Sequence, residues 1–293
     1  MTTKGPDDVI AVNDRGVTVR RSHRRGFGPA EEWTSGPFFG SHGTFFADVT
    51  GDGRADAIAV GADRVRVRRS TGSGFGAVEN WTEGPFFGTQ GTFFADLTGD
   101  GRADAIAVSE DTVVVRRSNG IVFGGREDWT HGRFLGTRGT FFADLTGDGR
   151  ADAIAVHDPT VLVRRSTGRN FRMAEDWTFG PCFGERATHF VDVTGDGRAD
   201  AVMVNSGGIL VRRSIGSVLG PEENWTRGPF SADRSIHFAD VTGEGRADAI
   251  LVSDQKISVR RSTGSGFGPE EDWTSSPFLG GRGIFFADVT GGT

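Results

Sequence analysis

From Asp48 the chain reads DVTGDGRADAIAVGADRVRVRRSTGSGFGAVENWTEGPFFGTQGTFFA, with apolar residues in short runs bounded by Gly, Asp, Ser and Thr clusters. Runs of this length and composition are strands between turns. The pattern predicts four of them, at Thr44 to Val49, Asp56 to Val60, Val65 to Ser70 and about Phe75 to Thr82. In the third, Val65 and Val67 alternate with Arg66 and Arg68, as a pleated strand with one buried face requires. The second, Ala-Asp-Ala-Ile-Ala-Val, is small and apolar throughout, which predicts packing on both faces close to an axis where large side chains would not fit. No segment carries a helical period.

The same pattern returns every 48 residues without insertion or deletion, marked by Trp33, Trp81, Trp129, Trp177, Trp225 and Trp273 and by Asp48, Asp96, Asp144, Asp192, Asp240 and Asp288. Units of this size bury their apolar faces only by stacking on neighbours. Four antiparallel strands repeated six times predict an all-β fold, a six-bladed β-propeller, spanning residues 1–293 as one domain. The ends favour a closed ring: Pro6 to Val12 aligns with Arg54 to Val60, while Gly283 to Thr290 supplies a first strand with no successor. The N-terminal strands are expected to pair with the C-terminal one, which removes exposed edges. An open solenoid is the alternative, but it needs distinct capping repeats.

Composition narrows the class. A net charge of -6 with 25% charged residues argues against nucleic acid as a partner. The basic residues are nearly all Arg, only Lys4 and Lys256 being lysines, and Arg suits carboxylates or paired acceptor oxygens. Cys182 is the sole cysteine, so no internal disulfide forms and packing must hold the fold. The start, MTTKGPDDVIAV, lacks the apolar core of a signal peptide, and no run is long enough for a membrane-spanning helix. The reading is cytoplasmic synthesis without membrane insertion, with later release left open, as is a homo-oligomer.

Asp48, Thr50, Asp52 and Asp56 place oxygens at the first, third, fifth and ninth positions of a loop with Gly53 at the sixth, the front of a calcium loop. Asp96, Thr98, Asp100 and Asp104 repeat it, as do Asp144, Thr146, Asp148 and Asp152, and Asp192, Thr194, Asp196 and Asp200. Glu244 in the fifth loop and the chain end after Asp288 break it. The third ligand is Thr and the terminal bidentate Glu is absent, so a structural calcium competes with an ion-free turn in which Asp and Thr bond backbone N–H groups.

Strand direction puts the aspartate loops at one end of the ring and the longer connections, such as WTEGPFFGTQG, at the other. Long connections on a rigid scaffold commonly carry function. Each has a Trp, one or two Phe, several Gly and a variable polar slot that reads His42, Gln90, Arg138, Arg186, Arg234 and Arg282. An aromatic face beside polar donors suits a sugar, which offers a C–H face and a rim of hydroxyls. The competing reading makes each Trp a plug between blades. The Arg pairs, among them Arg68-Arg69, precede carboxylates such as Glu79 and fit cross-strand ion pairs. The six histidines, His23, His42, His131, His157, His189 and His237, are read as not recurring at one repeat position, and no catalytic constellation emerges, so the chain reads as a binder rather than an enzyme.

The segments FFADVTGDGRADAIAV, VRVRRSTGSGFG, and ENWT followed by GPFFG resemble the repeat of the Photorhabdus propeller lectins, which is related to FG-GAP and VCBS repeats. The resemblance covers essentially the whole chain. It implies binding of fucose, galactose or related glycans in pockets between blades, with Trp33, Trp81, Trp129, Trp177, Trp225 and Trp273 as their aromatic walls. Six repeats instead of seven, and no Tyr, set this chain apart. Phe179 and Cys182 in the fourth repeat, and Ser231-Ala232 in the fifth, lead to the expectation that those two sites are the weakest. An integrin-like protein-binding propeller and a symmetrised scaffold without a selected ligand are the alternatives.

Overall fold

The computed structural model describes residues 5–130, 132–178, 180–226 and 230–291. In the first repeat the strands are Gly43–Ala47, Asp56–Val60, Val65–Arg68 and Glu79–Asn80, antiparallel and paired in that order. Phe45 lies opposite Ile58, Ile58 opposite Val67, and Val67 opposite Glu79. A bridge between Ser70 and Phe75 starts the return to the short outer strand. Four further sheets repeat this order within 91–128, 139–176, 187–224 and 235–272. The sixth combines Gly283–Ala287 with Asp8–Asn13, Gly16–Arg20 and Glu31–Glu32, and Ile10 pairs with Phe285. The two ends thus complete one sheet, and the chain is a six-bladed all-β propeller.

The strand nearest the axis differs from the sequence expectation. Asp56–Val60 is buried along its whole length, as its composition requires, but it lies one place out. The inner strand is Gly43–Ala47, and it touches its counterparts Gly91–Ala95 and Gly283–Ala287 in the adjacent sheets. Large side chains do fit there because they turn sideways into the interfaces. Phe45 meets Phe94, Phe93 meets Phe142, Phe141 meets Phe190 and Phe285 meets Phe46, each with centroids 5.1 Å apart. At the other two interfaces His189 meets Phe238 and His237 meets Phe286, so two of the scattered histidines share one repeat position after all.

A compensating change accompanies these histidines. The Phe45 ring lies over Gly43, where a Cβ would stand 2.7 Å from it, and Gly91, Gly139 and Gly283 are covered in the same way. In the two repeats with the smaller imidazole the equivalent residues are Ala187 and Ser235, and Ser235 Oγ lies 2.8 Å from His237 Nε2.

Neighbouring sheets are joined by a repeated set of contacts. One cluster unites Val49, Ile58, Val67, Trp81 and Phe86 with Ala105, Val114 and Phe123 of the next blade. Burying each large apolar side chain contributes roughly 1.5–3 kcal/mol. At the aspartate-loop end Ala103 N donates to Asp48 O (2.7 Å) and Ser118 Oγ to Val49 O (2.6 Å), and both bonds recur around the ring.

Candidate functional site

All six tryptophans are core residues. Their relative exposures are 4, 1, 2, 0, 4 and 4% from Trp33 to Trp273, so none presents a ring face to a ligand, and the aromatic wall expected of them is not formed. Each packs against the blade that follows. Trp81 stands edge-on to Phe123 at 5.0 Å, and Trp33 to Phe75 at 5.1 Å. The indole N–H of Trp81 donates to Glu79 (3.1 Å), and the next residue, Thr82, accepts the first N–H of the third strand, from Val65, at 2.9 Å. The Trp-Thr pair therefore ends one blade and seals it to the next.

The arginine pairs divide their tasks. The second of each pair meets the expected glutamate: Arg69 Nε lies 3.0 Å from Glu79, and Arg21 and Glu31 pair at 2.9 Å. The first tucks between blades, with Arg68 5.3 Å from the Phe38 ring centroid and donating to Gly76 O at 2.7 Å.

The aspartate loops are closed by backbone N–H groups. Asp48 Oδ1 accepts from Thr50 N (3.2 Å), Gly51 N (2.6 Å) and Asp52 N (3.3 Å), and Oδ2 from Gly53 N (2.8 Å). Asp52 accepts from Arg54 N and pairs with the Arg54 guanidinium. Asp56 is fully buried and accepts from Ser70 N (2.8 Å) and Val49 N (3.2 Å). Gly51 and Gly53 take φ of 81° and 84°, which lets the loop wrap one carboxylate. This donor set does not fit a cation: N–H groups face the oxygens that a calcium would need, and among the described residues no three acidic, His or Cys side chains converge. Burial pushes the Asp56, Asp104 and Asp152 carboxyls up to about 7, with the neighbouring loop carboxylates adding to the effect.

At the opposite end the polar slots begin the inner strands. The backbone N–H groups of His42, Gln90, Arg138, Arg186, Arg234 and Arg282 each donate to a second-strand carbonyl, at 2.9–3.1 Å. Several of the side chains cover an aromatic ring of the next connection. His42 stacks on Phe87 at 3.8 Å, Arg138 lies over Phe183 at 4.3 Å, and Arg282 over Phe39 at 4.5 Å. Arg138 also pairs with Asp158 at 3.3 Å and Arg282 with Asp14 at 2.6 Å, while Arg234 pairs with Asp254. Gln90 lines a cleft with Leu135 and Arg138. Arg186 has no ion pair among the described residues. Three of the slots expected from sequence, His42, Arg138 and Arg282, thus sit beside aromatic surface, and that surface is Phe, not Trp.

A groove opens between this connection and the outer half of the following sheet. At the fourth it is a cleft of about 510 Å³ lined by Pro181, Phe183, Glu185, Met203, Leu210, Glu222 and Asn224 and by the hairpin at 205–208. Asn205 Oδ1 accepts from Glu185 N (2.9 Å), and Glu185 Oε2 accepts from Ser206 N (3.1 Å) and Ser206 Oγ (2.8 Å). The bonds from Ser206 hold the Glu185 carboxyl below its ordinary range. Cys182 is fully buried where Phe38, Phe86, Phe134, Phe230 and Phe278 stand in the other repeats, and burial pushes its thiol up to about 12. Beside this smaller residue Phe183 packs onto the blade interface, whereas Phe39 and Phe87 remain 38 and 37% exposed. The substitution that marked this repeat as a weak site is thus found at a well-formed groove; Phe179 lies outside the described residues. A second groove, of about 450 Å³, lies at the same place on the sixth sheet, where Asn13 Oδ1 accepts from Gly281 N at 2.8 Å, but its lining of Asp14, Arg15, Thr18 and Glu32 is polar.

Sequence reasoning did not single out Phe183, Glu185, Asn205 or Leu210. The available signal was the break in symmetry at Cys182, Glu185 and the hairpin Asn205 to Gly208, whose equivalents in the first repeat are Phe38, Ser41 and Gly61 to Arg64.

A closed ring of six four-stranded sheets built from one repeated unit is a β-propeller of the repeat type. The FG-GAP-like repeat profile matches residues 48–107, 96–155 and 144–203, more than half of the chain, and the protein belongs to that repeat family. Among solved structures, a lectin of Agrocybe aegerita, described for its specific recognition of non-reducing terminal N-acetylglucosamine, is 24% identical. It aligns with a TM-score of 0.69 over 99% of this chain and 84% of its own. The Photorhabdus luminescens Tc holotoxin pore is 18% identical with a TM-score of 0.62, covering 87% of this chain and 13% of the toxin chain. Likenesses at these identities establish the fold. No curated protein matches the sequence.

Proposed function

We propose that the protein is a multivalent lectin that binds glycans in the grooves between its blades and carries out no catalysis. The observation that carries this reading is the groove on the fourth sheet, where the Phe183 ring and Leu210 share a cleft with carboxylate, amide and hydroxyl groups of Glu185, Asn205, Ser206, Glu222 and Asn224. A pyranose offers the matching surfaces, one C–H face and a circle of hydroxyls. The lectin of Agrocybe aegerita supports it, since a propeller of the same shape there recognises terminal N-acetylglucosamine. The resemblance to Photorhabdus propeller lectins adds fucose and galactose as candidate sugars. Repetition of weak sites on one rigid ring favours a glycan-coated surface, where joint engagement raises avidity about 10²–10⁴-fold over a single site.

Titration calorimetry with N-acetylglucosamine, L-fucose and galactose tests the proposal. Saturable heat with more than one sugar per chain is expected for at least one of them. Absence of heat with all three, against a folded sample, would remove the lectin reading and favour a polypeptide partner on the same grooves.

A further inference from the structure

The six borders between sheets differ in charge. We propose that the second sheet holds, at its border with the first, a site for acidic sugars, those bearing a carboxylate or sulfate, and that Arg116 and Arg126 clamp the anionic group. The inference rests on the lectin reading above and deepens it.

The first arginine of each pair tucks between blades, but what faces it varies. Arg212 and Arg260 each meet a glutamate across the strands of their own sheet: Arg212 Nη2 lies 4.0 Å from Glu222, and Arg260 Nη2 lies 3.6 Å from Glu270. At the place of those glutamates the first, third and sixth sheets carry Val78, Ala174 and Ala30, and the second carries Arg126. Two cations therefore share one ring, with the guanidinium carbons of Arg116 and Arg126 at 5.5 and 6.0 Å from the Phe86 centroid. Arg116 Nη1 donates to Gly124 O at 2.7 Å, and among the described residues neither arginine has an ion pair. Burial and the charge of Arg126 hold Arg116 below its ordinary range, with Glu83 opposing them without pairing. Arg126 is exposed and Arg116 half-buried, so solvent reaches both. Glu222 lines the groove on the fourth sheet, and Arg126 holds the corresponding position on the second. A guanidinium is a planar fork matched to the paired oxygens of a carboxylate or sulfate. An anion on the sugar takes the part that Glu222 and Glu270 play elsewhere, whereas a neutral sugar leaves two like charges side by side. A charge-assisted hydrogen bond of this kind contributes about tenfold or more to affinity.

The test is calorimetry with D-glucuronate against glucose, and with galactose 6-sulfate against galactose, on wild type, Arg126→Glu and Glu270→Arg. Each substitution installs a residue that the same position carries elsewhere in the ring, so both variants are expected to stay folded; melting curves verify this. Wild type is expected to show one site per chain that favours the acidic member of at least one pair about tenfold or more. That preference should shrink as salt is raised. The pair that responds tells carboxylate from sulfate. Arg126→Glu should bring the ratio close to one, because the new carboxylate occupies Arg116, while binding of neutral sugars stays. Glu270→Arg should add a second acidic-sugar site, since Arg260 stands 5.4 Å from the Phe230 centroid as Arg116 stands to Phe86. Equal affinity for acidic and neutral sugars in wild type, a ratio unchanged in Arg126→Glu, no added site in Glu270→Arg, or inorganic sulfate bound as tightly as the sugar sulfate would overturn the inference and leave the lectin reading standing; no binding of any sugar, acidic or neutral, would overturn both.

Discussion

At the scale of single residues, the tryptophans show why side-chain type does not reveal role. A Trp beside Gly and Arg on a long connection reads equally as a sugar platform and as a core plug, and only the surroundings decide. Trp81 has its ring against Phe123 of the next blade, its N–H on Glu79 and almost no exposure, all of which make it a plug. Trp81→Ala is therefore expected to lower unfolding free energy by about 3–5 kcal/mol. Denaturant titration measures this, and sugar capacity per folded molecule should stay constant. An unchanged midpoint with lost sugar binding would return the tryptophan to the ligand wall.

At the scale of the element, each aspartate loop is a hairpin turn built around a carboxylate that accepts backbone N–H groups. The spacing that suggests calcium also serves this purpose, since Asp48 is wrapped by the amides of residues 50 to 53. The buried aspartate that follows has a pH consequence. Asp56, Asp104 and Asp152 are raised by burial to about 7, and Asp8, Asp200 and Asp248 to about 6. A raised carboxyl keeps its proton in the folded state while the unfolded chain has released it, so stability falls as pH rises from the ordinary carboxylate value through the folded one. His237, lowered by burial to about 4, and His189, lowered likewise, act in the opposite sense over an overlapping range. Six carboxyls against two imidazoles leave a net gain at acid pH. The melting temperature should be higher at pH 5 than at pH 8, and Asp56→Asn should reduce that difference; a melting temperature that rises toward pH 8 would contradict the assignment.

At the scale of the molecule, closure rests on one strand. Gly283–Ala287 provides the inner strand of the sixth sheet and pairs with residues 8 to 12, while Gly5 N donates to Asp288 at 2.7 Å. Removing residues 283–293 would expose the edge of Asp8–Asn13 and strip Phe285 and Phe286 from two interfaces. That truncation is expected to abolish the cooperative melt and to favour association through the open edge. Retention of a sharp transition by a monomeric truncated chain would show that the ring does not depend on this strand.

The sequence by itself determined the number of blades, the four strands in each, the shared sixth sheet and the end at which the connections lie. The strands follow from local alternation and turn residues, which act between near neighbours in the chain, and the blade count and shared sheet from an unbroken period whose two ends are complementary halves. The tertiary structure decided which strand lines the axis, which arginine faces a glutamate, that the tryptophans are interior and that the fourth groove is well formed. Each of those depends on what the adjacent blade places opposite a residue, and blades meet through residues tens of positions apart. A smaller side chain at Cys182 reads in sequence as the mark of a weak site; in the ring it is fully buried next to Phe183, which lines the groove.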